Sequence, residues 1–493
     1  MQATRRLFLT LLAATYLAAF ASLWLQIDGL IGSRGIAPVG DLLAEAERIA
    51  GGSRLWRLPT LLWLWPADAG LHAVCAVGVA AALLLGAGIA PRAALAVLWL
   101  AYLSLDSVGE LFLRYQWDAL LLETGFLAFW LAPWRRWNEP VEPLAVWLLR
   151  CLLFKLMFLS GAVKLLSGDE TWRQLTAMSF HYSTQPLPSP VSWYAHHLPD
   201  AFHRGAVLAT LAIELFVSLL IFGPRRLRLL AFVPLAGLQL LIGVTGNYGF
   251  FNLLTLSLCT LLLDDRSLAR LLPRRLRPVA AGPAPPAPRG WPPRRIAFAG
   301  FAACLLALSA LRMADRIGIP VWRPAAVDAV SRLAAGYQIV GDYGLFARMT
   351  TTRDEIQLEG SHDGRSWRAY RFRFKPGPVD ARPRFAGLHM PRLDWQLWFA
   401  SLRGCAASPW FHVFLYRVLT GEPSVLALLA ENPFPERPPR YLRSRLERYT
   451  FAPPGDAAWW RSQPLGPFCP TVIVEGGELR PAAGYAPDAI GEI

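Results

Sequence analysis

The sequence predicts an α-helical polytopic membrane protein with about nine transmembrane helices and a small C-terminal α+β domain outside the membrane. Of its 493 residues, 54% are hydrophobic and 17% are charged, whereas about 25% of the residues in a soluble domain are charged. Nine apolar stretches approach the length of about 20 residues that a spanning helix needs. After residue 320 these stretches give way to shorter, alternating patterns.

The predicted spans follow one another closely up to residue 263. They are 7–26, 69–90, 93–112, 117–133, 144–166, 204–222, 227–245, 248–263 and 296–312. The first span follows Arg5 and Arg6 and has no small-residue cleavage motif, so we expect it to be retained rather than removed as a signal peptide. The stretch "LWRLPTLLWLWP" (55–66) is too short to span and is typical of a helix lying at the membrane surface.

Arginine distribution predicts the orientation. The formal net charge is +14, and arginines cluster before the first span and at every second junction between spans. They include Arg5, Arg6, Arg92, Arg135, Arg136, Arg225, Arg226, Arg228, Arg266, Arg270, Arg274, Arg275 and Arg277. Cytoplasmic loops carry such an excess, so we expect a cytoplasmic N-terminus and, with an odd number of spans, a C-terminal domain on the outer side. These topological roles leave little basic surface for nucleic acid, and we expect no nucleic-acid partner.

Four segments follow from this pattern. We expect a multi-span body (1–265), a basic Pro-rich cytoplasmic linker (266–295), a last transmembrane helix (296–312) and an outer α+β domain (320–480). Inside the last segment, the alternation in 355–377 predicts a hairpin turning at "HDG". Helices are predicted at 392–402 and 423–434, and a strand at 441–451.

Several charged residues, whose burial in a membrane is energetically costly, lie near the outer ends of spans three to six. Asp106, Glu110, Arg114 and Asp118 recur every four residues and would share one face of a continuing helix. We expect them to converge with neighbouring polar residues in one outward-facing pocket. The pocket candidates are Asp106, Glu110, Arg114, Gln116, Trp117, Asp118, Glu123, Lys155, Lys164 and Glu214.

Two of these charges lie deeper than the rest. Lys155 and Glu214 are each halfway along neighbouring spans and have opposite sign. A charge at the bilayer centre costs about 2.5–3.5 kcal/mol, so we expect the two to pair. Two interpretations stay open, namely an ion pair that only fixes helix packing and a pair with a proton- or substrate-coupled role.

The loop "HYSTQPLPSPVSWYAHHLP" (181–199) joins two spans on the outer side. Its prolines and aromatic residues suit a rigid lid or a surface that binds unfolded clients, and equally suit aromatic anchoring at the membrane interface. The client-binding candidates are His181, Tyr182, Gln185, Trp193, Tyr194 and His196. The histidines lack metal-ligand spacing, and we expect neither metal nor cofactor.

Other chemistry has little support in the sequence. There is no Walker A motif, no GxSxG, and no GxGxxG between a strand and a helix, so no catalytic residue is predicted. Cys405 and Cys469 both fall in the outer domain. They either form a disulfide, which an oxidising compartment would permit, or remain two unpaired small apolar residues.

Several long segments carry a resemblance to a known family. They are "YQWDALLLETGFLAFWLAPW", "FKLMFLSGAVKLLSGDETW", "HYSTQPLPSPVSWYAHHLP", "NYGFFNLLTLSLCTLLLDD", "PRLDWQLWFASL", "EIQLEGSHDGRSWRAYRFRFKPG" and "LLAENPFPERPPRYLR". Together, these segments resemble the lipase maturation factor family. In animals, the family comprises endoplasmic-reticulum membrane proteins that assist the folding of secreted lipases. The abundant Arg and Ala, the Pro-rich linker and the compact length predict a bacterial member in the inner membrane.

The resemblance implies a membrane-embedded maturation factor, with membrane lipid and exported client proteins, lipases among them, as partners. The alternative is a membrane enzyme or transporter that uses the charged pocket of spans three to six. A third interpretation is a structural subunit of another membrane protein. Loss of function on changing the loop or tail favours the first, and loss on changing the charges favours the second.

Overall fold

Long helices dominate the chain up to residue 316, and a small sheet follows. The computed structural model describes residues 1–134, 137–271 and 293–482. Most of the predicted linker (266–295) lies outside the described residues, as do Arg135 and Arg136. The borders of that linker, 266–271 and 293–295, belong to helices.

The helices of the described residues are numbered in chain order. The first nine are α1 Gln2–Trp24, α2 Ile27–Ile31, α3 Val39–Ala50, α4 Arg54–Arg57, α5 Asp68–Ala87, α6 Pro91–Val108, α7 Glu110–Leu113, α8 Gln116–Leu131 and α9 Pro143–Leu166. Then come α10 Glu170–Arg173, α11 Ala177–Thr184, α12 Pro190–His196, α13 Asp200–Leu215, α14 Arg225–Thr245, α15 Phe251–Thr260 and α16 Asp265–Leu271. The last are α17 Pro293–Arg316, α18 Ala325–Gly336, α19 Arg392–Arg403, α20 Pro409–Leu419 and α21 Pro423–Leu426. Short 3-10 turns lie at Gly51–Ser53, Leu61–Trp63 and Val217–Phe222.

Helices occupy all nine predicted spans, but they differ in length. Among the described residues, six helices are long and apolar enough to cross a membrane, namely α1, α5, α9, α13 with the 3-10 turn after it, α14 and α17. Helices α6, α8 and α15 have 18, 16 and 10 residues and fall short in length or hydropathy. Length and composition therefore support six spans, and the other three stay a prediction.

Arginines gather at one end of the helical body, where they bind the carbonyl ends of other helices. The guanidinium-to-carbonyl distances are 2.6 Å for Arg5–Trp137, 2.7 Å for Arg92–Ala132, 2.8 Å for Arg150–Leu261 and 3.0 Å for Arg228–Leu262. Three of these acceptors directly follow α8 or α15, where unpaired carbonyls and the helix dipole favour a cation. These contacts bring the starts of α6 and α14 and the first half of α9 to the ends of α8 and α15, and they attach the start of α1 to the segment after α8.

The C-terminal region contains one antiparallel sheet. Its strands are β1 Arg353–Ser361, β2 Arg368–Ala369, β3 Tyr441–Phe451, β4 Trp460–Glu475 and β5 Glu478–Pro481, in the order β2-β1-β3-β4-β5. The predicted strand at 441–451 is β3, and the predicted helix at 392–402 is α19 with one more residue. Helices α18 and α20 and strands β4 and β5 were not predicted.

Two predicted elements of this region are shorter than expected, for the same reason. The second hairpin strand shrinks to β2, and the helix predicted at 423–434 shrinks to α21. Instead, Arg371 pairs with Glu431 in an isolated antiparallel bridge. The Arg371 carbonyl also accepts a hydrogen bond from the Ala430 amide (2.8 Å). These long-range backbone bonds take both segments away from the conformation that their own pattern favours.

Candidate functional site at the junction of the two domains

The five-stranded sheet and the helices α19–α21 between its strands form the sheet domain (353–482). This domain attaches to the end of the body opposite the arginine contacts. An ion pair between Asp118 at the start of α8 and Arg392 at the start of α19 lies at the centre of this attachment. Arg392 donates to both carboxylate oxygens, at 2.8 and 3.0 Å, and both side chains are almost fully buried. The Tyr102 hydroxyl also donates to Asp118, and Arg392 also donates to the Phe112 carbonyl. The pair therefore joins the sheet domain to the body through a paired and hydrogen-bonded charge.

Glu123 and Lys155 form a second buried pair, 2.6 Å apart. The other Glu123 oxygen accepts from the Gly341 amide (2.8 Å) and the Tyr343 hydroxyl (2.6 Å), and Lys155 donates to the Gly341 carbonyl (3.1 Å). A Cβ on Gly341 would lie 2.7 Å from the Tyr343 hydroxyl oxygen and 3.2 Å from Glu123. Glycine at this position thus lets the segment after α18 reach the charged pair.

The third buried pair corrects the pairing expected from the sequence. Lys164, not Lys155, donates to both oxygens of Glu214, at 2.9 and 2.8 Å. Helices α9 and α13 cross at Gly161, where an added Cβ would lie 2.9 Å from Glu214. Lys164 is three residues from Gly161 and shares its face, whereas Lys155 is six residues away and points to Glu123.

Three of the remaining pocket candidates contact the segment 338–344 or the helix α19. Asp106 accepts a hydrogen bond from Gln338 (3.4 Å), Gln116 accepts one from the Gly344 amide (3.0 Å), and the Trp117 ring meets Trp395 edge-on. The expected single face of four charges does not form, because the helix is interrupted around Gly109 and again before α8. Glu110 is half-buried and Arg114 is exposed. Most of the candidates thus lie at the junction of the two domains rather than around one open pocket.

The loop 181–199 is mostly packed into this junction. Gln185 is buried and donates to the Thr245 carbonyl (2.7 Å), and Trp193 donates to the Ala452 carbonyl at the end of the sheet (3.0 Å). The His196 ring packs against Phe451. His181 and Tyr182 are buried, and Tyr194 is the exposed member of the six candidates, at 55%. As a client surface, the loop therefore offers chiefly Tyr194.

Strand β1 supplies a junction residue that the sequence did not identify. Arg353 donates to the carbonyls of Ser183 (3.0 Å) and Pro186 (2.7 Å) and pairs with Glu355 (2.6 Å), which also binds Lys375 (3.1 Å). Arg353, Glu355 and Lys375 are buried. Two residues apart on a strand, Arg353 and Glu355 share a face. The sequence signal for this pair was a basic and an acidic residue at alternate positions of a strand. Such a pattern ordinarily indicates a strand face exposed to solvent, so it did not identify a buried pair.

The sheet domain also contains a disulfide, between Cys405 after α19 and Cys469 in β4. Of the two interpretations left open by the sequence, the structure has the bridged one. His412 lies close by, with its Nε2 3.7 Å from the Cys405 sulfur. In the described residues, these three side chains form the group whose atoms could meet a metal ion, but both sulfurs are already bonded to each other.

Replacing Cys469 by Ser is expected to lower the free energy of unfolding by about 2–5 kcal/mol, because the disulfide restrains the unfolded chain between residues 64 positions apart. Urea unfolding of the purified protein, followed by tryptophan fluorescence, measures the change. Cys304→Ser is the control, since Cys304 is a free, exposed cysteine of α17. An equal effect of both substitutions would contradict a stabilising bridge.

Comparisons with known proteins cover almost the entire chain. The family model described as the lipase maturation factor transmembrane domain matches residues 3–270, and the lipase maturation factor C-terminal domain matches residues 339–470. Lipase maturation factor 2 of Gallus gallus is 37% identical over 95% of this chain and 81% of its own length. Lipase maturation factor 2 of Homo sapiens is 37% identical over 95% and 82%, and lipase maturation factor 1 of Homo sapiens is 32% identical over 97% and 89%. No solved structure matches the chain.

Proposed function

The chain belongs to the lipase maturation factor family, and from this premise we propose that it assists the folding of exported proteins, with lipases as the first clients to test. The relatives' names state a role in lipase maturation. The chain shares their transmembrane and C-terminal domains. The buried Asp118–Arg392 ion pair and hydrogen bonds such as that from the Gly341 amide to Glu123 hold those two domains together. A membrane body that fixes one extramembrane domain suits a factor acting on chains as they leave the membrane.

We further propose that this is a bacterial inner-membrane protein with the arginine end in the cytoplasm and the sheet domain in the periplasm. The support is the arginine contacts at one end of the body and the attachment of the sheet domain at the other. Arginine enrichment marks the cytoplasmic side. The abundance of Arg and Ala favours a bacterial source.

Cysteine labelling tests this orientation. In a variant whose free cysteines are replaced by Ser, a cysteine at the exposed His362 is expected to react with a membrane-impermeant maleimide in intact cells whose outer membrane is permeable. A cysteine at the exposed Arg226 is expected to react only after the inner membrane is opened. The reverse pattern would place the sheet domain in the cytoplasm and remove it from exported clients.

The observation that carries the folding role is an exposed apolar surface shared by both domains. Tyr194 of the loop has its ring 6.4 Å from that of Trp459 in the sheet domain. The Trp459 amide donates to the Val379 carbonyl (2.9 Å), and Val379 is 38% exposed. Phe385 and Leu388, farther along the same segment, are also exposed. Contiguous exposed apolar surface marks protein-interaction sites, and Tyr194, Trp459 and Val379 form such a surface here.

Photo-crosslinking tests this client surface. A photoreactive amino acid at Tyr194 or Phe385, in the full chain in intact cells, is expected to capture exported polypeptides, with an overexpressed lipase among them. The same amino acid at Trp134 is the control, because Trp134 is exposed but contacts Arg92 at the arginine end. Equal capture at Trp134, or no polypeptide at Tyr194 and Phe385, would contradict the proposed surface.

A further inference from the structure

A large apolar cleft lies between α13 and α14, next to the client surface, with which it shares Tyr194. Its volume is about 570 Å³, within the range of about 300–1,000 Å³ of small-molecule sites. Both helices are candidate membrane spans, and in each of them only 28% of the span's residues are buried. Phe202 of α13 and Leu241 of α14 line the cleft and are exposed at its rim. The cleft therefore opens toward lipid, and a hydrocarbon chain is the molecule that these walls would accept.

The charged pair in the wall does not select a charged ligand. Lys164 and Glu214 line the cleft, but the Lys164 ammonium already donates to both Glu214 oxygens and to the Ser160 carbonyl (3.1 Å). Its three N–H groups thus have three acceptors. Because the two charges neutralise each other, an anionic or cationic ligand would enter without a partner charge, which is costly in an apolar site.

A hydrogen-bond chain leaves one acceptor unpaired in the lining. Gln185 donates to the Thr245 and Tyr182 carbonyls, which fixes its amide oxygen as the acceptor for the Tyr248 hydroxyl (2.8 Å). Because the Tyr248 hydroxyl donates its only proton to Gln185, its oxygen accepts a hydrogen bond from the Nε2–H group of His181 (3.4 Å). Burial and the nearby Lys164 lower the pKa of His181 to about 4, so the ring is neutral at pH 7. Its Nδ1 is then a bare acceptor.

His181 lines the cleft, is 91% buried, and has no hydrogen-bond partner at Nδ1. A buried polar atom without a partner is unfavourable, because it has lost its hydrogen bond to water and gained none in return. A hydroxyl group would supply the missing donor, whereas an ester or a choline headgroup has no O–H to give. We propose that the cleft binds an uncharged lipid with a free hydroxyl, of the acylglycerol or long-chain alcohol class, its chain between α13 and α14 and its hydroxyl at His181.

Photolabelling of the full chain in phosphatidylcholine nanodiscs tests this site. The probe is a monoacylglycerol with a diazirine in its acyl chain, and the comparison probe is a phosphatidylcholine with the same acyl chain. We expect saturable labelling of α13 and α14 by the first probe, competed by unlabelled monoacylglycerol. Equal labelling by both probes would mean that ordinary bilayer lipid fills the cleft, and it would overturn the proposal, as would the absence of labelling.

Two variants assign the contacts. Gly237 lines the cleft, and a Cβ there would meet no atom within 4 Å, so Gly237→Leu is expected to fill the space and abolish labelling. Gly300→Leu is the matched control, since Gly300 of α17 has equally open surroundings. His181→Phe is expected to cost about tenfold in monoacylglycerol affinity, the worth of one hydrogen bond, without changing phosphatidylcholine labelling.

Two results would overturn the assignment. One is unchanged labelling of the Gly237→Leu variant, and the other is unchanged labelling of a His181→Phe variant whose melting temperature equals that of the original protein. If His181→Phe does not fold, Gly237→Leu alone decides the location and the two probes alone decide the hydroxyl requirement. The outcome is separable from that of the folding role, because client capture at Phe385, which does not line the cleft, is measured independently and without a lipid probe.

Discussion

Replacing Arg392 by Met is expected to lower the free energy of unfolding by about 3–5 kcal/mol and to loosen the sheet domain from the membrane body. Asp118 would remain buried with a charge and with the Tyr102 hydroxyl as its main partner. Losing one member of a buried pair leaves the other uncompensated, and this penalty exceeds the loss of the contact itself. Unfolding in detergent measures the energy, and hydrogen exchange in α19 measures the loosening.

A surface pair provides the matched control. Arg448 also binds a carboxylate with two nitrogens, at 2.8 and 3.0 Å from Asp354, but it is 41% exposed. Arg448→Met is expected to cost about 0–1 kcal/mol, since exposed pairs contribute little. The double variant Asp118→Asn with Arg392→Met should be less destabilised than the sum of the single changes, because no charge is left behind. A loss at Arg392 as small as that at Arg448 would contradict a structural clamp.

The positions of the helices were predictable because they depend on local pattern. Continuous apolar runs of about 20 residues led directly to α9 and α14, and the alternation in 441–451 led to β3. The three short helices have the same apolar character, but their lengths depend on breaks such as the one at Gly109. Such breaks follow from packing against other segments, which local pattern does not contain.

The partners of the charges were not predictable. Asp118 and Arg392 are 274 positions apart, and no spacing rule connects them. Depth in the membrane was a usable guide to which charges need partners, but not to which partner each takes. The expected Lys155–Glu214 pair shows the limit, since the crossing of α9 and α13 at Gly161 decides that Lys164 is the neighbour. Arg353 and Glu355 of the sheet domain were missed for a related reason, since their alternate spacing on β1 indicated a solvated face whereas both are buried.

The Glu123–Lys155 pair distinguishes a folding factor from an enzyme or transporter. Lys155→Met alone is expected to cost about 3–5 kcal/mol, because Glu123 stays charged and buried. Glu123→Gln alone is also expected to destabilise the protein. The NH2 group of the new side chain would face either Lys155 or the Gly341 amide and the Tyr343 hydroxyl, and all of these groups are donors. The double variant removes both charges and is expected to regain a large part of the stability.

The activity of that double variant decides between the functions. If the pair only anchors the segment 341–343 to the body, client maturation should return together with stability when both charges are absent. If the pair moves a proton or binds substrate, stability should return while activity stays lost. Secretion of an active lipase, measured beside the melting temperature for each single and the double variant, gives both readouts. A stable but inactive double variant would overturn the anchoring role and favour the enzyme or transporter. Apolar packing can replace the stabilising effect of a removed ion pair, but it cannot carry out proton transfer.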